Sequence, residues 1–156
     1  MEKSQERAVQ KFFDEFSKKV SDKVISLEMV SLKADLKTLN SLSLKNNNPS
    51  CEIWGLLVFC EKNFYFYVHP YESAMSMMLR QAAHGDEPEE QLANVSELKS
   101  LSVQKTSRTW FSILLGEKEK IFLFFEGEDG LQKRIELETQ HKADNIIEKI
   151  SKYIKK

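Results

Sequence analysis

The stretch GLLVFCEKNFYFYV, residues 55–68, places two apolar runs on either side of a short polar interruption. The interruption, Glu61-Lys62-Asn63, predicts a β-hairpin with its turn at that point. A loop at Lys62-Asn63 sets Phe59 opposite Phe66. An even loop is favoured, because an odd loop would mix apolar and polar side chains on both faces of the pair.

The predicted hairpin has two different faces. One face is wholly apolar and consists of Leu57, Phe59, Phe64, Phe66 and Val68. The other face carries Val58, Cys60, Tyr65 and Tyr67, and we expect it to be half exposed, since tyrosine hydroxyls require water or a partner.

The N-terminal segment, residues 1–22, has the pattern of an amphipathic helix. Its apolar stripe consists of Val9, Phe12, Phe13, Phe16 and Val20, with charged residues on the opposite side. Such a stripe packs on the chain's own core, against a partner helix or in a seam with a second copy. We favour packing on the chain's own core and keep a homodimer through this helix as the alternative.

Residues 21–45 fit two kinds of structure. Ile25, Leu27 and Met29 alternate with more polar positions, as in a strand, whereas Leu32, Leu36 and Leu39 have helical spacing. Both interpretations stay open. The following NNNPS, residues 46–50, is predicted to be a loop.

The second half of the chain returns to strands. After a helix predicted over 71–83 and an acidic loop at 86–90 come strands around Leu101 and over RTWFSILL, residues 108–115. A second hairpin, IFLFFEGEDGLQKRIELET, turns at EGEDG. We expect its inward row to consist of Leu131, Ile135 and Leu137.

A helix over 142–155 follows, with an apolar stripe of Ala143, Ile146, Ile147, Ile150 and Ile154. We expect this helix to close one open end of the sheet and to cover Phe59, Phe64, Phe66 and the rings at 122, 124 and 125. The predicted fold class is therefore α+β: a strongly bent antiparallel sheet or partly open β-barrel, capped by the C-terminal helix.

This order of elements resembles a pleckstrin-homology-like domain, including its bacterial and GRAM-type relatives. The resemblance rests on GLLVFCEKNFYFYV, on RTWFSILL, on the second hairpin and on the closing isoleucine stripe, over about residues 50–156. It implies one domain over 23–156 with a helical and acidic insertion at 69–97. Phosphoinositide-binding members carry clustered basic residues in the first hairpin loop, but here Lys33, Lys37 and Lys45 are dispersed.

The overall composition limits the location and the partners. The chain has 156 residues and a net charge of −1, so we expect no nucleic-acid binding. We find neither a signal peptide nor an apolar run of membrane-spanning length, which predicts a cytoplasmic protein with at most peripheral membrane contact. If Cys51 and Cys60 lie on one strand, nine residues apart, they are too distant to form a disulfide.

The sequence offers no set of catalytic groups. Its histidines, His69, His84 and His141, are far apart, and there is no phosphate-binding, metalloprotease or nucleophile-elbow motif. We therefore expect neither an enzyme nor a cofactor or metal site.

Three features are candidates for binding. Arg108 and Trp110 share strand parity and form a possible cation–aromatic pair at an edge. Met75 and Met78, with Met77, suit an adaptable contact surface. A basic surface of the terminal helix consists of Lys149, Lys152, Lys155 and Lys156.

These features lead to a first hypothesis of a non-enzymatic module that docks a protein or peptide. The alternatives are a small-molecule or lipid carrier with an internal cavity and a weak binder of anionic membrane surfaces.

Overall fold

The computed structural model describes residues 2–45, 51–68, 78–79, 81–84, 90–105, 110–115, 119–139 and 143–154. Its elements, in chain order, are α1 (Glu2–Val20), β1 (Val24–Lys33), α2 (Leu36–Ser41), β2 (Glu52–Cys60), β3 (Phe64–Val68), β4 (Gln91–Asn94), a 3₁₀ turn (Val95–Glu97), β5 (Lys99–Lys105), α3 (Trp110–Leu114), β6 (Lys120–Glu126), β7 (Gln132–Thr139) and α4 (Ala143–Ser151). Residues 78–79 and 81–82 are also helical, inside the helix predicted over 71–83. The loop predicted at 46–50 and most of the acidic loop lie outside the described residues.

The seven strands found in the described residues form one antiparallel sheet in the order β4-β3-β2-β1-β7-β6-β5. The sheet is not closed, and β4 and β5 are its two edges. The chain from Asn94 to Lys99 spans at most about 18 Å, whereas the edges of a flat sheet of seven strands lie about 29 Å apart. The sheet is therefore bent. The α+β class, the antiparallel sheet and both terminal helices are confirmed.

Residues 21–45 contain both of the elements that their pattern allowed. The alternating part forms β1, which lies between β2 and β7 in the middle of the sheet. The part with helical spacing forms α2, where the Asp35 carboxylate accepts a hydrogen bond of 2.8 Å from the Thr38 amide and caps the helix. This bond lowers the pKa of Asp35.

The first hairpin has the predicted faces but a different register. Phe59 lies opposite Phe64 rather than Phe66, and the Cys60 amide donates a 2.9 Å hydrogen bond to the Asn63 carbonyl. The turn residues are Glu61 and Lys62, one position earlier than predicted. The loop is still even, so each side chain stays on its predicted face.

The inner side of the sheet holds the main core, which α4 covers. Buried side chains from β1, β2, β3, β6 and β7 meet Ala143, Ile146 and Ile150 of α4. Of the three rings expected in this core from β6, only Phe125 is buried there. Phe122 and Phe124 have the opposite strand parity and are only partly buried. Leu131, expected in the inward row, precedes β7 and is exposed.

The outer side of the first hairpin is buried under α1, contrary to the half-exposed face expected. Phe16 contacts Tyr65 and Tyr67 edge-on, with ring centroids 5.7 and 5.5 Å apart, and Phe12 lies 5.6 Å from Tyr67. The buried members of this second cluster are Phe16, Val24, Val58, Cys60, Tyr65 and Tyr67. Packing of the stripe on the chain's own core is thus confirmed, and the homodimer stays a prediction.

Gly55 of β2 lets the hairpin strands pack closely. A Cβ atom at this position would lie 2.6 Å from the Tyr67 carbonyl oxygen and 2.8 Å from the Phe66 ring. Both distances are shorter than van der Waals contact, so a side chain here would push β3 away from β2.

The strand predicted over 108–115 is wrong for the residues that are described. Residues 110–114 form the short helix α3 in the connection between β5 and β6. Their β-branched and aromatic composition favours a strand locally, but a strand needs a neighbour with which to pair.

Candidate functional site

An open depression of about 310 Å³ lies between the first half of β5 and the residues that follow α4. We call it the β5–α4 groove. Its lining combines the apolar side chains Leu98, Leu101, Tyr153 and Ile154 with Ser96, Glu97, Lys99 and Ser100.

The groove adjoins the irregular beginning of β5. The pairing of β5 with β6 shifts between Lys99 and Ser102, and Ser100 adopts a φ of 55°, which is uncommon for residues other than glycine. The 3₁₀ turn before it closes with a hydrogen bond of 3.2 Å from the Leu98 amide to the Val95 carbonyl. The groove-lining residues Lys99, Ser100 and Leu101 lie at this irregular start of the strand.

Tyr153 forms the opposite wall. Its amide donates a 3.0 Å hydrogen bond to the Ile150 carbonyl, which continues the chain in a turn after α4. Its ring lies 5.1 Å from Phe64 and 6.0 Å from Phe59, and its hydroxyl donates to the Cys60 carbonyl. Burial raises the pKa of this hydroxyl, so it stays a neutral donor. The wall is therefore anchored to the main core.

The charges along β5 are matched by partners. Lys99 lies 3.5 Å from Glu126 across the strand pair. Lys105 lies 3.1 Å from Asp144 at the start of α4 and 3.8 Å from Glu119. The groove thus combines apolar side chains with two charged residues, Glu97 and Lys99, of which Lys99 is paired with Glu126. Its apolar part suits an apolar side chain of a ligand.

β5 is also an edge strand, with β6 as its only neighbour in the described sheet. Along an edge, half of the backbone amides and carbonyls point away from the sheet. An added strand can pair with these groups. β4, the other edge, has only four residues, against seven for β5.

The predicted binding residues do not come together in one site. Trp110 lies on α3 and is largely exposed, and Met78 is exposed on a helical segment. Arg108 and Met75 lie outside the described residues. The cation–aromatic pair assumed a strand over 108–115, and that assumption fails at Trp110.

The predicted basic surface is partly neutralised. The Lys149 ammonium lies 3.0 Å from the Glu28 carboxylate and 5.5 Å from the centroid of the Phe59 ring. It therefore ties α4 to β1 and β2 instead of extending into water. Lys152 is exposed. Lys155 and Lys156 lie outside the described residues.

Within the described ranges, no three His, Cys, Asp or Glu side chains lie close enough to hold a metal ion. No described helix is both long enough and apolar enough to cross a bilayer.

The two cysteines are not bonded to each other. Cys60 is buried, and burial raises the pKa of its thiol to about 12. At neutral pH this thiol is protonated and unreactive.

Sequence reasoning missed Tyr153 and Leu98 as groove residues. Tyr153 stands outside the isoleucine stripe, and Leu98 precedes the alternation that identified β5. No local pattern marks a depression formed by two segments so far apart in the chain. Comparison of the chain with protein-family models, curated proteins and solved structures yields no match.

Proposed function

We propose that this chain is a non-enzymatic binding module of pleckstrin-homology-like fold. In this proposal it docks an extended peptide along β5 and takes one apolar side chain into the β5–α4 groove. The observation that carries the proposal is the position of an apolar groove directly beside a long edge strand. Main-chain pairing then supplies affinity and the groove supplies specificity.

The strand order supports the fold assignment. Seven antiparallel strands in the order β4-β3-β2-β1-β7-β6-β5, followed by a helix packed on the inner side, agree with the resemblance in the sequence. Fold alone does not give function, so the docking part of the proposal rests on the groove.

The carrier hypothesis has less support. The side chains between the sheet and α4 pack against each other, with Phe59, Phe64 and Tyr153 in ring contact at 5.1–6.0 Å. A ligand in that space would have to displace these rings.

A phage-displayed library of random peptides tests the proposal. We expect the wild-type protein to enrich peptides with a common large apolar residue. Ile154→Asp should weaken their binding at least about tenfold, since it places a charge where an apolar side chain would be buried.

Leu131→Asp is the matched control, because Leu131 is exposed, precedes β7 and is not among the residues that line the groove. It should bind the selected peptides as the wild type does. The absence of enrichment, or equal binding by Ile154→Asp, would contradict the proposed function.

A further inference from the structure

Four large apolar side chains cover one side of α3 and the residue after it. Trp110, Phe111, Leu114 and Leu115 are 69, 58, 73 and 67% exposed, respectively. Their spacing of i, i+1, i+4 and i+5 places them on one helical face. We call this surface the α3 patch. Contiguous exposed apolar surface of this kind marks an interaction site.

The α3 patch has a defined local geometry. The rings of Trp110 and Phe111 lie edge to face, with centroids 5.1 Å apart. The Leu115 amide donates a 3.0 Å hydrogen bond to the Phe111 carbonyl, which continues the helical turn to the last of the four side chains. The patch is thus a short helical face that is exposed to solvent.

The length of α3 argues against helix-in-groove recognition by a protein. Five residues span about 7.5 Å at 1.5 Å per residue. Recognition of that kind uses anchors at i, i+3 or i+4, and i+7, which requires at least two turns.

The area of the α3 patch argues against a second copy as its occupant. An aromatic side chain buries about 150–250 Å², so these four partly exposed side chains offer on the order of 500 Å². A standard interface buries about 800 Å² on each partner. The patch by itself is too small for a stable dimer.

The charges near the α3 patch favour a neutral apolar environment. The sequence contains no carboxylate from Thr106 to Gly116. The described cations on either side are paired, Lys105 with Asp144 at 3.1 Å and Lys120 with Glu136 at 3.2 Å. The stretch therefore holds no carboxylate to repel a headgroup layer, and Arg108 is its single cation.

From these observations we propose that the α3 patch inserts into the boundary between the headgroups and acyl chains of a lipid bilayer. Tryptophan is suited to the interfacial level, and phenylalanine and leucine are suited to the acyl chains beneath it. This binding depends on apolar burial, so it is insensitive to salt and does not require anionic lipid.

This surface is separate from the proposed peptide site. The groove adjoins the start of β5, whereas α3 follows its end, and the seven residues of β5 extend over about 20 Å. Either proposal can therefore fail without the other.

Vesicles of pure phosphatidylcholine test the inference, with tryptophan fluorescence and co-sedimentation as readouts. The chain has two tryptophans, Trp54 and Trp110, so Trp54→Phe leaves Trp110 as the single reporter. We expect its emission to shift to the blue on addition of vesicles, and sedimentation to persist at high salt. The reciprocal variant, Trp110→Phe, should show no shift from Trp54.

The double substitution Leu114→Glu with Leu115→Glu should reduce vesicle binding at least about tenfold, because it places two charges in the apolar face. Leu131→Glu, at another exposed leucine, should bind as the wild type does. The exposure of all three positions means that the urea midpoints of these variants should stay near that of the wild type, which keeps loss of binding distinct from loss of folding.

Three outcomes would overturn the inference. The first is absence of sedimentation with these vesicles. The second is binding that occurs only with anionic lipid and disappears with salt, which would assign the contact to lysines. The third is a blue shift of Trp110 that depends on protein concentration without vesicles and disappears with the double substitution, which would identify a second copy as the occupant.

Discussion

Cys60 and Cys51 have opposite surroundings although they are close in the sequence. Cys60 lies under α1, and burial raises the pKa of its thiol to about 12, whereas Cys51 is partly exposed. We expect an aromatic disulfide reagent at about pH 8 to modify Cys51 in the native protein and both thiols after unfolding.

The raised pKa of the Cys60 thiol also makes the stability of the protein depend on pH. The native thiol of Cys60 stays protonated where the unfolded thiol, with a pKa near 9, ionises. Its contribution to stability is therefore fully present below about pH 9 and decreases as the pH rises towards 12. Tyr67 acts in the same direction, because burial raises its pKa from 10.0 to about 12.

Urea midpoints at several pH values between about 8 and 11 measure this effect. The wild-type midpoint should fall with rising pH, and Cys60→Ala should fall less steeply than Cys51→Ala. Equal slopes for the two variants, or equal reactivity of both native thiols, would contradict the assignment.

At the residue scale, strand parity made the faces of the first hairpin predictable. The register was not, because loops at 61–62 and at 62–63 give the same faces and differ only in which rings stand opposite each other. The wrong prediction that Phe122 and Phe124 are core residues arose because strand parity was not applied to them. Both are aromatic and were assigned to the core by residue type, although their parity places them with Arg134, whose guanidinium lies 5.0 Å from the Phe122 ring.

At the scale of elements, α1 is an integral layer of the fold. Phe16 is 3% exposed and contacts the rings of Tyr65 and Tyr67. We expect Phe16→Ala to lower the free energy of unfolding by about 3–5 kcal/mol, since it removes a buried ring and leaves a cavity. Urea denaturation measures the change.

Val9→Ala, on the same helix, is the control. Val9 is 49% exposed, so its truncation should change the free energy of unfolding by less than about 0.5 kcal/mol in a monomer. Light scattering on both variants also tests the homodimer prediction. A fall in mass on Val9→Ala would place a seam at this helix, whereas a small effect of Phe16→Ala on stability would contradict the packing of α1.

Elements with a clear period were predictable, and those without one were not. The stripe of α1, the alternation of β7 and the isoleucines of α4 each identified the correct element. Residues 110–114 have strand propensity but form a helix, because propensity records how a side chain fits a pleated surface rather than a fixed backbone preference. Residues 21–45 appeared ambiguous because they contain a strand and a helix in succession.

At the scale of the whole molecule, the middle strands of the sheet are paired on both sides and the edge strands on one. β1 pairs with β2 and β7 and brings distant segments together, as in the pairing of Val30 with Thr139. Among the described strands, β4 and β5 each have one neighbour. We expect amide hydrogen exchange to be slowest in β1, β2 and β7, faster in β4 and β5, and fastest in α3.

Exchange measured by nuclear magnetic resonance checks this order at single residues. Amides of β5 that exchange as slowly as those of β1 would show that the edge is protected by a contact outside the described fold. If the two surfaces act separately, adding a selected peptide should slow amide exchange in β5 and leave amide exchange in α3 unchanged.

The complete strand order could not be predicted from the sequence. Hairpins are local, so β2–β3 and β6–β7 follow from turn residues. The pairing of β1 with β7 is set by which apolar faces fill one core, and no local pattern records it. The groove depends on this long-range arrangement, because it brings the chain after α4 beside the start of β5. The groove therefore could not be predicted from the sequence, although most of the elements that form it could.

The exposed position of α3 also has an evolutionary consequence. Its large side chains contribute little to the buried core, so substitutions at Trp110, Phe111, Leu114 or Leu115 should leave folding almost untouched. Selection can then change this connection without compensating changes in the sheet. Descendants of one ancestral chain could keep the same core residues while the connection between β5 and β6 diverges towards different targets. The sequence of that connection would then be the poorest guide to common descent.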